Sequence, residues 1–163
     1  MARRERDTES FAVDGNVRPV RSGDVEFLVE IDGLVNASPW SLAQFEVACD
    51  SAMETAESVL VLEHRGRVCG FIIFSKVLDE ACIHNLAVHP QQRGEGFGRS
   101  LVVAALALAK QQGVRCCWLE VRESTTAARG LYEALCFQMD GIRKNYYPTA
   151  TGREDALLMS RQL

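Results

Sequence analysis

Apolar and polar positions change their period along the chain, and each change marks an element. From Val17 to Val20 the pattern reads as a short strand. Ser22 is then placed to cap a helix running to about Leu34, with Val25, Leu28, Val29 and Ile31 on one face. Ser38-Pro39-Trp40 interrupts the chain, and Ser41 with Gln44 three residues on is a capping-box signature for a second short helix. The period next shortens to that of strands. Residues 58–64 and 68–77 are rich in Val, Ile and Phe, Arg65-Gly66 between them is a hairpin turn, and residues 81–88 form a third strand closed by His89-Pro90. Beyond a glycine-rich stretch at 93–98, the apolar run from Leu101 to Ala109 predicts a helix that stops at Gly113. Residues 114–121 are strand-like, 125–135 helix-like, and 137–147 and 155–159 close the chain as strands.

This order predicts an α/β fold: a mixed sheet with helices on both faces, in which residues 81–88 and 114–121 are parallel and joined by a right-handed crossover. Residues 1–16 read as a polar, poorly ordered tail in which Arg3, Arg4 and Arg6 alternate with Glu5, Asp7 and Glu9. Residues 17–163 read as one domain, without linker, low-complexity segment or internal repeat.

Composition removes several classes. The chain has 163 residues, 47% of them apolar and 25% charged, which is ordinary for a globular domain. At this size about 70% of the unfolded surface is buried on folding, so no metal or disulfide is required. The longest apolar run is shorter than the roughly 20 residues that span a bilayer, and no apolar stretch follows the N-terminal arginines as in a secretory signal. Lys+Arg 18 against Asp+Glu 22 gives a net charge of −4. That balance offers no electrostatic case for direct nucleic acid binding, yet it would not repel a basic protein substrate. Cys49, Cys69, Cys82, Cys116, Cys117 and Cys136 contain no C-x-x-C pair, and His64, His84 and His89 show no ligand spacing with them. No metal is expected, and the cysteines read as small buried hydrophobes of a reducing, cytoplasmic protein rather than as redox groups.

The glycine-rich stretch carries the first chemistry. Gly94, Gly96 and Gly98 lie after a strand and before a helix, where unhindered backbone amides and a helix N-terminus converge on an anion. No lysine follows as a P-loop requires, and a dinucleotide fingerprint would put its last glycine at Arg99 or Leu101. Taken alone, the loop can also be read as a flexible strand–helix connection.

The stretch Gln92-Arg93-Gly94-Glu95-Gly96-Phe97-Gly98 resembles the R/Q-x-x-G-x-G/A coenzyme A loop of the GNAT acetyltransferases, and the similarity in element order covers nearly all of residues 17–163. Asn85-Leu86-Ala87-Val88, Trp118-Leu119-Glu120-Val121-Arg122, Asn145-Tyr146-Tyr147-Pro148-Thr149 and Gly152-Arg153-Glu154-Asp155-Ala156 narrow it further. Together they resemble the RimI family, bacterial acetyltransferases that modify the N-terminal alanine of the eighteenth small-subunit ribosomal protein. The resemblance implies a GNAT fold with a mixed, mostly antiparallel sheet. It also implies acetyl-CoA as cosubstrate and a ribosomal protein N-terminal peptide as partner.

Individual residues fit that chemistry to different degrees. An α-amine has a pKa of ~7.7–8, so at neutral pH a base helps to free it. Glu120, in a strand otherwise rich in Val, Cys and Trp, is the candidate, although simple alternation would also let it point outward. Partial burial makes a carboxylate a better base, and by resemblance Glu120 is the proton acceptor, acting through a water. Tyr132 lies on the following helix; a phenol ionises near ~10, in the range of a thiol, but a tyrosine there would also serve as packing. By resemblance it is the proton donor.

The resemblance further assigns the coenzyme to the backbone of Leu86, Ala87 and Val88, to Arg93, Gly94, Glu95, Gly96, Phe97, Gly98 and Arg99, and to Thr125. Trp40, Tyr146 and Tyr147 fall on segments that flank the peptide groove in related enzymes, and otherwise read as core and turn residues. Two positions depart from the pattern. Thr125 stands where the family commonly has Asn, and Cys136 where it usually has Gly. No cysteine sits in a nucleophile setting, so direct attack of the amine in a ternary complex is expected. Another protein N-terminus, a lysine or a small amine remains open as acceptor, as does a non-catalytic acyl-CoA sensor on the same fold.

Overall fold

The structure, a computed structural model, describes residues 15–52 and 57–163. The elements run β1 (Asn16–Pro19), α1 (Val25–Val35), α2 (Leu42–Ala52), β2 (Glu57–His64), β3 (Arg67–Val77), β4 (Glu80–Val88), α3 (Phe97–Gln111), β5 (Cys116–Arg122), α4 (Thr126–Ala134), β6 (Gln138–Thr149) and β7 (Gly152–Gln162). The tail expected over residues 1–16 lies outside the described residues as far as residue 14. Asn16 already pairs with Glu63, so the sheet begins one residue earlier than the hydrophobic pattern indicated.

The helix boundaries show which local signals acted. Ser22 does not cap α1. Residues 22–24 form a 3-10 turn and Asp24 takes the cap position, its carboxylate accepting from the Arg21 amide at 2.7 Å. Arg18 of β1 grips the same carboxylate at 2.7 and 3.0 Å and also reaches Glu63 at 2.9 Å, tying the helix start to the sheet. Burial by itself raises the Asp24 carboxyl, but Arg18 and the Arg21 amide outweigh it and hold it below the ordinary carboxylate value. At α2 the capping box forms as expected: Gln44 N–H donates to Ser41 Oγ at 3.2 Å and Ser41 N–H to Gln44 Oε1 at 2.8 Å. β5 begins at Cys116 rather than at Val114, because the Val114 amide still bonds Ala109 at the end of α3, 3.0 Å away.

The strands form one seven-stranded sheet in the order β1-β2-β3-β4-β5-β7-β6. β4 and β5 pair in parallel, and the other neighbouring strands are antiparallel. Leu28 and Ile31 of α1 and Phe45 of α2 cover one face, packing on Val61, Phe71 and Ile73. Leu101, Val102 and Ala105 of α3, with Tyr132 of α4, cover the other, on Leu62, Ile72, Leu119 and Met159. The mixed, mostly antiparallel sheet with helices on both faces is therefore present. Among the described residues no helix is long and apolar enough to cross a membrane.

One irregularity shapes the centre of the sheet. Ile73 pairs with Asn85 and Phe74 with Ile83, which leaves His84 as an extra residue, a β-bulge in β4. The bulge changes the parity of the strand. Ala81 and Ile83 face the α3–α4 core before it, whereas Leu86 and Val88 do so after it, and Ala87 now turns to the α1–α2 core.

Candidate active site

β4 and β5 stay paired only from Glu80↔Cys116 to Ile83↔Leu119, although β4 runs on to Val88 and β5 to Arg122. The break falls at the bulge, where the added residue bends β4 away from its neighbour. Past it the two strands fork. One edge of residues 84–88 and the facing edge of 120–122 lack strand partners, and a cleft of about 300 Å³ opens between them.

Six of the residues singled out in the sequence line this cleft: Trp40, Leu86, Glu120, Thr125, Tyr132 and Tyr147. Glu120 is the first residue of β5 past the last pair. Its side chain is only 16% exposed, and Oε1 lies 3.4 Å from Nη2 of Arg143 on β6. Tyr132 comes from α4, 5% exposed, its ring edge-on to Phe137 at 5.5 Å. Burial pushes its phenol well above the ordinary value, with the neighbouring Cys117 and Tyr147 adding to the shift, so the group keeps its proton. Cys82, also near this end of β4, is pushed up to about 12 by burial and then by the charge of Glu120.

Tyr147 is held from beneath. The Arg122 guanidinium lies 4.4 Å from its ring centroid and bonds Glu154 Oε1 at 2.9 Å and the Pro148 carbonyl at 3.1 Å. Glu154 in turn accepts from the Ser124 amide at 3.3 Å. Hydrogen bonds from Ser124 and Arg122 keep the Glu154 carboxyl below its usual value. Asp155 bonds the Asn145 amide at 2.9 Å and Lys144 at 3.1 Å. The Gly-Arg-Glu-Asp-Ala block thus fastens the β6–β7 hairpin and the approach to α4 as one wall of the cleft.

The other singled-out residues lie beyond the cleft lining. The side chains of Ala87 and Val88 pack into the two cores, so that segment faces the fork with its backbone edge. Residues 93–99 follow the end of β4 through a 3-10 turn (Pro90–Gln92) and lead into α3. Gly94 and Gly96 hold φ at 81° and 78°, and nothing lies within 4 Å of where a Cβ would sit on Gly94. Gly96 caps α3. Phe97, the first residue of α3, is buried, its ring 5.2 Å from that of His64. Arg93, Glu95 and Arg99 are exposed. Tyr146 is 43% exposed, its ring 4.9 Å from that of Tyr147 and 5.4 Å from the Arg143 guanidinium.

Several lining or supporting residues had no site role in the sequence reading: Asn85 and Arg122, quoted there only within motifs, and His84 and Arg143, with Asp32 and Asn36 of α1 and its end. Asp32 left one signal. It sits four residues after Leu28, on the apolar stripe of its helix, where a carboxylate has no place unless it is doing something there. Among the described residues no group of three or more His, Cys, Asp or Glu is arranged to hold a metal ion.

Comparison with known proteins identifies the class. The Acetyltransferase (GNAT) family model matches residues 25–137, and the chain belongs to that family. As a GNAT acetyltransferase it uses acetyl-CoA. It is similar to the ribosomal protein bS18-alanine N-acetyltransferase of Escherichia coli (strain K12), 38% identical over 146 residues that cover 88% of this chain and 95% of the relative. The crystal structure of the Escherichia coli ribosomal-protein-S18-alanine N-acetyltransferase superposes with a TM-score of 0.83 at 35% identity, covering 91% of this chain and 93% of the other. Ard1 from Thermoplasma volcanium gives a TM-score of 0.83 at 27% identity, with coverage of 92% and 98%.

Proposed function

We propose that this acetyltransferase moves an acetyl group from acetyl-CoA to the α-amine of a protein N-terminus, and that its acceptor is the N-terminal alanine of ribosomal protein bS18 in the cytoplasm. The acceptor rests on the relative that carries this name and matches 88% of the chain. The chemistry rests on one observation: the fork between β4 and β5 brings a mostly buried carboxylate, Glu120, and a buried phenol, Tyr132, into the same cleft.

The residues fit the coenzyme. The free edge of residues 86–88 suits a pantetheine arm lying along β4 like an added strand. The open loop amides of residues 93–99 at the N-terminus of α3 suit the pyrophosphate. Thr125, exposed at the start of α4, keeps a hydroxyl where the family commonly has an amide. Acetyl-CoA supplies the acetyl group in activated form, as a thioester.

The protein's part is to place the amine and manage two protons. Trp40 and Tyr147 wall the acceptor side of the cleft, and Tyr146 extends that wall outward, a shape suited to an extended chain end. Glu120 takes the proton from the attacking amine through a water, with Arg143 at 3.4 Å balancing its charge beforehand. Tyr132, kept protonated by burial, donates to the departing sulfur. The amine attacks directly. Cys82, the thiol near the fork, is held protonated by a pKa of about 12 and is a poor nucleophile. No contact with nucleic acid, a membrane or a metal enters this scheme.

The test is mass spectrometry of a peptide panel incubated with acetyl-CoA: the bS18 terminus with its alanine free, the same peptide blocked, other N-termini, lysine peptides and polyamines. Acetylation confined to free α-amines, with the bS18 terminus preferred, is the expected result. Modification of lysine or polyamine alone would move the enzyme to another acceptor, and no acetyl transfer at all would make it a binding protein.

A further inference from the structure

The loop at residues 36–41 joins α1 to α2 and forms one wall of the cleft through Asn36, Ser38 and Trp40. It is anchored on a carboxylate that no solvent reaches. Asp32 is 0% exposed. One of its oxygens accepts from Asn85 Nδ2 at 3.1 Å and from Asn36 Nδ2, and the other from the backbone amide of Trp40 at 2.8 Å. Asn36 Nδ2 also approaches Asn85 Oδ1 at 3.3 Å, and the Asn36 amide bonds the Asp32 carbonyl at 2.9 Å. Asn85 is the first residue of β4 past the bulge, on the segment that forks from β5. A single side chain of α1 therefore links the acceptor wall to the strand beside the open edge.

Other contacts do not account for this arrangement. Trp40 packs on Phe45 at 5.4 Å and Phe45 on Phe71 at 5.5 Å, which sets how deep the indole sits. The path of the loop backbone is set by the donors to Asp32. An apolar residue at this point of the helix stripe would pack without desolvating a charge, so the carboxylate is a costly choice for stability alone. Its convergent donors make it a rigid fixture.

We propose that Asp32 is a positioning residue for the amine acceptor: through Asn36, Trp40 and Asn85 it fixes the acceptor wall relative to β4, and its loss weakens acceptor binding while the coenzyme site survives. This rests on the reading of the cleft as the acceptor site. The coenzyme loop at 93–99 shares none of these hydrogen bonds.

The test compares wild type, Asp32→Asn, Asn36→Ala and the double variant Asp32→Asn with Asn85→Asp. Acetyl-CoA affinity is measured by calorimetry, and KM and kcat with the bS18 peptide. Asp32→Asn presents an amide to donors that had faced an oxygen. It is expected to raise the peptide KM about tenfold or more, with kcat falling much less and acetyl-CoA affinity within about twofold of wild type. Exchanging Asn85 for Asp restores a donor–acceptor pair and recovers part of that loss, which general loosening of the fold would not do. Should Asp32→Asn fail to fold, Asn36→Ala, altered only at the loop's edge, carries the test with a several-fold rise in KM. An unchanged KM in a folded variant, or a parallel loss of acetyl-CoA affinity, overturns the proposal. If wild type leaves peptides untouched and acetylates another amine, the acceptor reading fails by itself, and the same KM comparison on that amine decides the role of Asp32.

Discussion

Cys136 offers a sharp stability test because its backbone is in the wrong conformation for its side chain. It holds φ at 64°, in the left-handed region, one residue beyond the helical cap of α4 at Leu135. Its amide bonds the Glu133 carbonyl at 3.0 Å and the next amide, of Phe137, bonds the Tyr132 carbonyl at 3.0 Å. The Phe137 and Tyr132 rings meet at 5.5 Å. These contacts make a Schellman motif, whose left-handed residue is ordinarily glycine. A side chain there costs roughly 1–2 kcal/mol, while glycine gives back about 0.4–1 kcal/mol through a freer unfolded chain. The thiol is exposed, so little burial is lost. Cys136→Gly should therefore gain about 0.5–1 kcal/mol, or about 1–4 °C in Tm for a chain of this length. Thermal unfolding followed by circular dichroism, with reductant present, measures it. Cys136→Ala is the control: it removes the thiol, keeps the strained dihedral, and should gain nothing. A glycine variant no more stable than wild type, or an alanine variant equally stabilised, refutes the reasoning.

Three further outcomes bear on the chemistry. Glu120→Gln should retain acetyl-CoA affinity by calorimetry and lose about 10²–10⁴-fold in turnover, and unchanged turnover at neutral pH removes Glu120 as base. Tyr132→Phe keeps the ring contact with Phe137, so its Tm should stay near that of wild type while kcat falls about 10- to 10³-fold; an equal kcat excludes the phenol as donor. Burial raises Cys49 to about 11 and Cys82 and Cys117 to about 12 from an ordinary 9.0. The unfolded chain then releases these protons first. Stability should be complete below pH 9 and drain away as pH climbs from 9 toward the folded values, and a denaturant midpoint that stays flat from pH 8 to 10.5 contradicts this.

Much of the framework was legible because it depends on local rules. The Ser41–Gln44 box, the Arg65-Gly66 turn with φ of 51° and 76°, and the strand periods of β2 and β3 need only neighbours in sequence. Glu120 and Tyr132 could be named because short motifs surround them. What escaped depends on distant partners. Arg18 reaching Asp24 moved the start of α1, which no pattern within the helix records. The bulge at His84 is invisible to an alternation count, since apolar residues occupy both faces of a strand buried on both sides. Arg143 of β6 meets Glu120 of β5 across the intervening β7, after a register shift between Met139 and Gly141, and Asp32 meets Asn85 across 53 residues of chain.

The fork also has a meaning for motion. Backbone amides along the unpaired margins of residues 84–88 and 120–122 face the opening rather than another strand. In the free protein they should trade their hydrogens for deuterium faster than the same strands do at 80–83 and 116–119, and a seated ligand should slow them first. The sheet is like a zip fastener stopped partway by one surplus tooth at His84. Removing that residue would let the teeth close, giving a protein that still folds but no longer has anywhere to receive its guest.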